Sequence, residues 1–165
     1  MTKATLFWFV VLLLNVAGSS LRGQEAVEVE ARAALDEYIA AWNAADNEAI
    51  AAVSNFPRLS IGIAGQVVVR QAAEELEIDF DLLRQAEGWD HTTLDFVETI
   101  HIATDKVHYR VVSSRRRADG SAYRTAPALY ILTRQDGRWG LQLQSVLPPT
   151  FTAQYVRDQS LLRWL

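Results

Sequence analysis

Four runs of alternating character between Leu94 and Leu147 constrain this chain more than any other feature, because the turns between them fix which residues face one another. Thr104-Asp105, Asp119-Gly120 and Asp136-Gly137 stand where two-residue turns would join the runs, and Asp-Gly is among the strongest short hairpin signals. A meandering antiparallel sheet is predicted. With those turns, Glu98 lies level with Val111, Ala128 and Ser145. Alternation then gathers Leu94, Phe96, Glu98, Ile100 and Ile102 on one face with Val107, Tyr109, Val111, Ser113 and Arg115. Across the sheet the same face takes Arg124, Ala126, Ala128, Tyr130 and Leu132, then Trp139, Leu141, Leu143, Ser145 and Leu147. All three turns put a largely apolar set on one side, so this is read as the inner face, carrying one carboxylate, Glu98.

The rest of the chain supplies helices to cover that face. Val27, Ala31, Ala34, Leu35, Tyr38, Ile39, Trp42 and Ala45 recur at helical spacing, which predicts an amphipathic helix over Glu25 to Ala45. Asp46 is placed to cap a short second helix over Asn47 to Val53. Leu59 to Ile63 and Val67 to Val69 read as a hairpin about Ala64-Gly65-Gln66. A third helix is predicted over Ala72 to Ala86, stopped by Gly88. The class is therefore α+β.

Before this domain, Lys3 precedes an unbroken apolar run from Leu6 to Leu14, followed by Ala17-Gly18-Ser19, the order of a secretory signal peptide. The run is shorter than the ~20 residues of a spanning helix, so residues 1–23 are read as a cleaved signal, with no stable membrane anchor afterwards. A secreted or periplasmic location is expected. Residues 24–147 form one domain and residues 148–165 an extension, whose Phe151, Tyr155, Leu162 and Leu165 would line one side of a C-terminal helix after Pro148-Pro149. The chain has no cysteine, so disulfides are excluded. Loss of Lys3 and Arg22 with the signal turns 16 basic against 20 acidic residues into 14 against 20. That acidic balance argues against nucleic acid, and Arg115-Arg116-Arg117 reads as a hairpin end.

This order of elements, with Tyr38-Ile39-Ala40-Ala41-Trp42-Asn43-Ala44-Ala45-Asp46 in the first helix and Asp136-Gly137-Arg138-Trp139-Gly140-Leu141 entering the last strand, resembles the nuclear transport factor 2-like superfamily, in its SnoaL-like branch. The resemblance spans about Glu25 to Leu147. It implies a cone: a curved, mostly antiparallel sheet wrapped around the long N-terminal helix, with three main helices and a pocket inside. Members use that pocket for isomerisation, cyclisation, dehydration or plain binding, and many dimerise through the outer sheet face.

On the predicted inner face, Glu98 would be desolvated among Phe96, Ile100, Val111 and Ala128, raising its pKa, with the Tyr109 or Tyr130 phenol as a donor to developing charge. The same residues allow a structural acid bonded to Tyr109, Tyr130, Ser145 or an arginine. Members that isomerise steroids are similar in layout only. Tyr38, Trp42, Phe96, Ser113 and Ser145 are candidate ligand contacts, with Arg115 and Arg124 as a possible clamp for an anionic substrate. Asp90-His91 offers an acid–histidine pair after the helix stop, although Gly88-Trp89 also reads as a cap followed by an anchoring tryptophan. His101 faces His108 on the outer side, where a metal would still need a third ligand. No cofactor motif appears. Val97, Thr99, Val112, Leu129 and Ile131 leave the outer face apolar enough to predict a homodimer. Two functions stay open: an acid–base enzyme acting on a partly apolar small molecule, and a non-catalytic binding or dimerisation module with a filled cone.

Overall fold

The computed structural model describes residues 3–148, with side chains from residue 23 onward; the expected C-terminal helix lies outside the described residues. The first helix, α1, runs from Lys3 to Asn43, far longer than the amphipathic segment alone predicts, because helical backbone continues through the apolar run before it. Its buried stripe is Ala31, Ala34, Leu35, Tyr38 and Ala41, the i, i+3, i+4 pattern of one face. Among the described residues no helix is long and apolar enough to cross a membrane. Helix α2, Asn47–Ala52, begins as expected, with the Asp46 carboxylate accepting from the Ala49 amide at 2.9 Å.

Strands β1 (Ser54–Ile61) and β2 (Val67–Arg70) form the expected hairpin, and their register carries on to pair Arg58 with Arg70. The third helix is shorter than its periodicity suggests. A 3-10 turn at Ala73–Glu75 is followed by extended chain and then by α3, Phe80–Glu87. Asn47 interrupts the helix by exchanging two hydrogen bonds with the backbone of Ile78, and Asp79 starts it again by accepting from the Leu82 amide at 2.7 Å. Gly88, at φ 69°, ends it in the left-handed conformation that the sequence anticipates.

Strands β3 (His91–Ala103), β4 (Lys106–Arg116), β5 (Ala122–Gln135) and β6 (Arg138–Val146) complete one six-stranded sheet in the order β2-β1-β6-β5-β4-β3. Only the β1–β6 junction is parallel. The sheet packs against α1, and the core joins the α1 stripe to Val107, Tyr109, Val111, Ala128, Tyr130, Leu132, Trp139 and Leu141. These are residues that the predicted register turns inward.

That register holds along β4 and β5 up to Arg115–Arg124, and it fails where single residues are inserted. Between β3 and β4 the pairing shifts at Asp95 and again at Ile100, so Glu98 lies opposite Arg110 and Thr99 opposite Tyr109. Residues 96 to 99 are thereby inverted. Val97 and Thr99 face α1, while Phe96 and Ile100 are exposed. Glu98 is not an inner carboxylate; it pairs with Arg110 on the outer face. A third shift, at Gln142, inverts the end of β6: Gln144 and Val146 pair with Tyr130 and Ala128, and Ser145 joins Leu129 on the outer side. Phe96, Glu98 and Ser145 are therefore corrected from inner to outer positions. The physical cause is curvature, since a sheet bent around a helix takes its bends at bulges.

Candidate functional site

An inner cavity of about 270 Å³ opens where the small hairpin meets the wide sheet. Trp42 of α1, Arg58 and Ser60 of β1, Val68 and Arg70 of β2, Leu76, Ile78 and Gln144 of β6 line it, with Gly62 and Gln66 at the hairpin end. Each position follows from local structure. Arg58 and Arg70 are cross-strand partners, so both side chains leave the hairpin on the same face. Gln144 reaches that face because the Gln142 insertion turned it inward.

Arg58 is the notable member. It is only 4% exposed, yet among the described residues its guanidinium meets no carboxylate: Nη2 donates to the Tyr38 hydroxyl and Nη1 to Ser54 Oγ, each at 2.9 Å. The guanidinium carbon lies 5.0 Å from the centre of the Tyr38 ring, close enough for a cation–π attraction. Its Nε is buried with no hydrogen-bond partner among the described residues, and so is Nε1 of Trp42. Both unmet donors belong to residues lining the same cavity. Buried polar groups are normally paired, so such a coincidence asks for an acceptor. The described lining contains no Asp, Glu or His.

A second cavity, of about 520 Å³, adjoins the first through Gly62, Gln66 and Gln144. It holds three of the residues expected to contact a ligand, Ser113, Arg115 and Arg124. The two arginines already share a counter-ion, Glu87 of α3, at 2.7 Å and 3.4 Å, and Tyr123 also donates to Glu87 at 3.0 Å. Burial alone would raise the Glu87 carboxyl, but these partners hold it below its usual range.

The other expected site residues are spread by the fold. Tyr38 braces Arg58 and packs edge-on against Tyr130, with ring centres 6.4 Å apart. Trp42 lines the inner cavity and belongs to an aromatic cluster with Phe80 and Trp89. Burial pushes the Tyr130 phenol up, and it pushes Tyr109 up to about 12 with the help of Glu28. Tyr109 donates to the Glu28 carbonyl of α1 at 3.3 Å, which ties the sheet to the helix. Neither phenol meets Glu98, which has moved to the other face. Trp89 is an anchor, buried and donating to Thr92 Oγ1 at 3.0 Å, while Asp90 and His91 bond each other at 2.7 Å in exposed positions. His101 and His108 do face each other, with ring centres 5.0 Å apart. Among the described residues no group of three or more His, Cys, Asp or Glu is placed to hold a metal. Sequence reasoning passed over Arg58, Arg70 and Gln144. The Ala64-Gly65-Gln66 turn read from sequence would set Ser60 opposite Arg70; the strands instead close at Gly62 and Gln66, which brings Arg58 opposite Arg70.

A helix enclosed by a curved sheet, with a cavity between them, defines the NTF2-like class. This chain belongs to the family described as "NTF2-like protein (DUF6841)", whose profile matches residues 28–143. Among solved structures, an NTF2-like protein with a cystatin-like fold from Novosphingobium aromaticivorans superposes with a TM-score of 0.58 at 15% identity, covering 90% of this chain and 92% of that one. A domain of unknown function with a cystatin-like fold from Nostoc punctiforme gives 0.53 at 23% identity, covering 81% and 85%. A protein from Catenulispora acidiphila, solved in complex with S-DNPA, gives 0.61 at 14% identity, covering 79% and 99%. These similarities establish the fold. No functionally curated protein matches the chain.

Proposed function

We propose that this chain is an exported small-molecule-binding domain whose ligand occupies the inner cavity beside Arg58 and Trp42. The observation that carries the reading is the pair of buried, unmet donors, Arg58 Nε and Trp42 Nε1, at one cavity. A ligand acceptor would complete both. The lining favours binding over acid–base chemistry, because it supplies hydrogen-bond donors and apolar walls but neither carboxylate nor imidazole to move a proton. The test follows the indole N–H resonance of Trp42, assigned with W42F, while small polar and apolar probes are titrated into the protein. Saturable movement of that resonance is expected. A cavity that no probe enters would overturn the reading.

The proposal includes export and self-association. Lys3, the apolar run Leu6–Leu14 and the small residues after it support cleavage between Ser19 and Gly23, which N-terminal sequencing of the exported protein would check. Phe96 and Ile100, exposed at 44% and 51% on the edge strand β3, support a second copy on the outer sheet face. A monomer in sedimentation equilibrium at high concentration would exclude it.

A further inference from the structure

We infer that the inner cavity takes a small organic carboxylate, its head group on Arg58 Nε and Trp42 Nε1 and its apolar body against Val68, Leu76 and Ile78. This deepens the binding reading and rests on it. The argument is one of charge. Among the described residues, Arg32, Arg84, Arg110, Arg115, Arg116, Arg124 and Arg134 have carboxylate partners, while Arg117 stacks on Tyr123 and Arg138 donates to carbonyls and Asn55; neither of the last two is buried as Arg58 is. Arg58, at 4% exposure, has only the hydroxyls of Tyr38 and Ser54.

Hydroxyls satisfy N–H groups without neutralising the cation, and a desolvated charge lacking a counter-charge is expensive. Arg70 adds a second positive charge on the same face, and among the described residues its hydrogen-bond partner is the Glu75 carbonyl, at 3.1 Å. A neutral acceptor would meet the two free N–H groups but leave that charge unbalanced. A carboxylate does both, and its bond to a guanidinium is charge-assisted. The walls set the remainder of the ligand. Val68, Leu76 and Ile78 are apolar, and about 270 Å³ lies at the small end of ligand pockets, which suits a short aliphatic or single-ring acid better than a phosphate or a large lipid.

The experiment compares hexanoate and benzoate with hexanamide and benzamide, with sodium chloride and inorganic phosphate as further arms, read by the Trp42 indole resonance and by calorimetry. Selective, saturable binding of the acids is expected, and R58Q should weaken it on the order of tenfold or more. R70Q, on an edge strand with its guanidinium outside the core, should weaken it roughly two- to fivefold and keeps the test decisive if R58Q does not fold. Amides that bind as well as acids would overturn the carboxylate assignment while leaving the binding reading intact. Chloride or phosphate that competes as well as hexanoate would overturn it as an adventitious anion site only. Failure of every probe to reach Trp42 would overturn both.

Discussion

Two charged residues on this sheet are controlled by opposite surroundings. Glu98 reaches water and Arg110 on the outer face, whereas Arg58 is enclosed with hydroxyls for company. Half-exposed ion pairs contribute little, so E98Q should lower stability by under about 1 kcal/mol in urea unfolding and leave probe binding at Trp42 unaltered. A lost ligand response in E98Q would return the carboxylate to the site. Tyr109 belongs to the framework: Y109F removes its bond to the Glu28 carbonyl and should cost about 1 kcal/mol, again without changing the Trp42 titration. Residue types were legible in the sequence here, since an inner tyrosine pair and Trp42 on the helix are where periodicity puts them. Their companions were not, because one inserted residue reverses every neighbour beyond it.

At the scale of elements, the bulges decide the site. Asp95 sits at the first insertion in β3, and its carboxylate accepts from Ser114, from Thr93 at 2.7 Å and from Arg116 at 3.2 Å. Burial alone would raise that carboxyl; the hydroxyls and the guanidinium hold it below its usual range. Glu87 is lowered in the same way by the arginines it joins. Both groups therefore bind protons less readily folded than unfolded, so their contribution to stability is complete at neutral pH. It declines as pH falls below the usual values of 4.5 and 3.8, toward the lowered folded values. Urea midpoints measured from neutral pH to about pH 3 should fall over that acid range, and D95N should flatten part of the decline. A pH-independent midpoint would refute the linkage. The Thr104-Asp105 and Asp136-Gly137 turns and the caps at Asp46 and Gly88 could be read in advance because each depends on two or three adjacent residues, whereas Asp119-Gly120 lies in a longer turn closed by Arg117 and Ser121. The bulges could not: Phe96-Val97-Glu98-Thr99 and Leu141-Gln142-Leu143 alternate plausibly in either register, and only side-chain bonds such as those of Asp95 and of Gln142 with Thr133 and Gln135 choose between them.

For the whole molecule, the cavity and the fold share one free energy. A ligand that binds only the folded chain adds stability as its concentration rises, by about 2.7 kcal/mol at a hundredfold excess over Kd, so hexanoate should raise Tm progressively and hexanamide should not. An unchanged Tm at saturating acid would contradict occupancy of a folded-state site. Family, class and the order of the four-strand meander were within reach of the sequence because many weak signals agree over most of its length; the parallel seam that joins the small hairpin to the meander was not. The pocket was not, since its walls come from α1, the small hairpin and the far end of the sheet. The parallel junction of β1 with β6 has a consequence in time. A ribosome releases Trp42, Arg58 and Arg70 long before Gln144, and the early hairpin cannot join the sheet until the last strand has emerged. Chains that have yet to add β6 to the sheet should therefore be blind to ligand, and the site comes into being with the last strand.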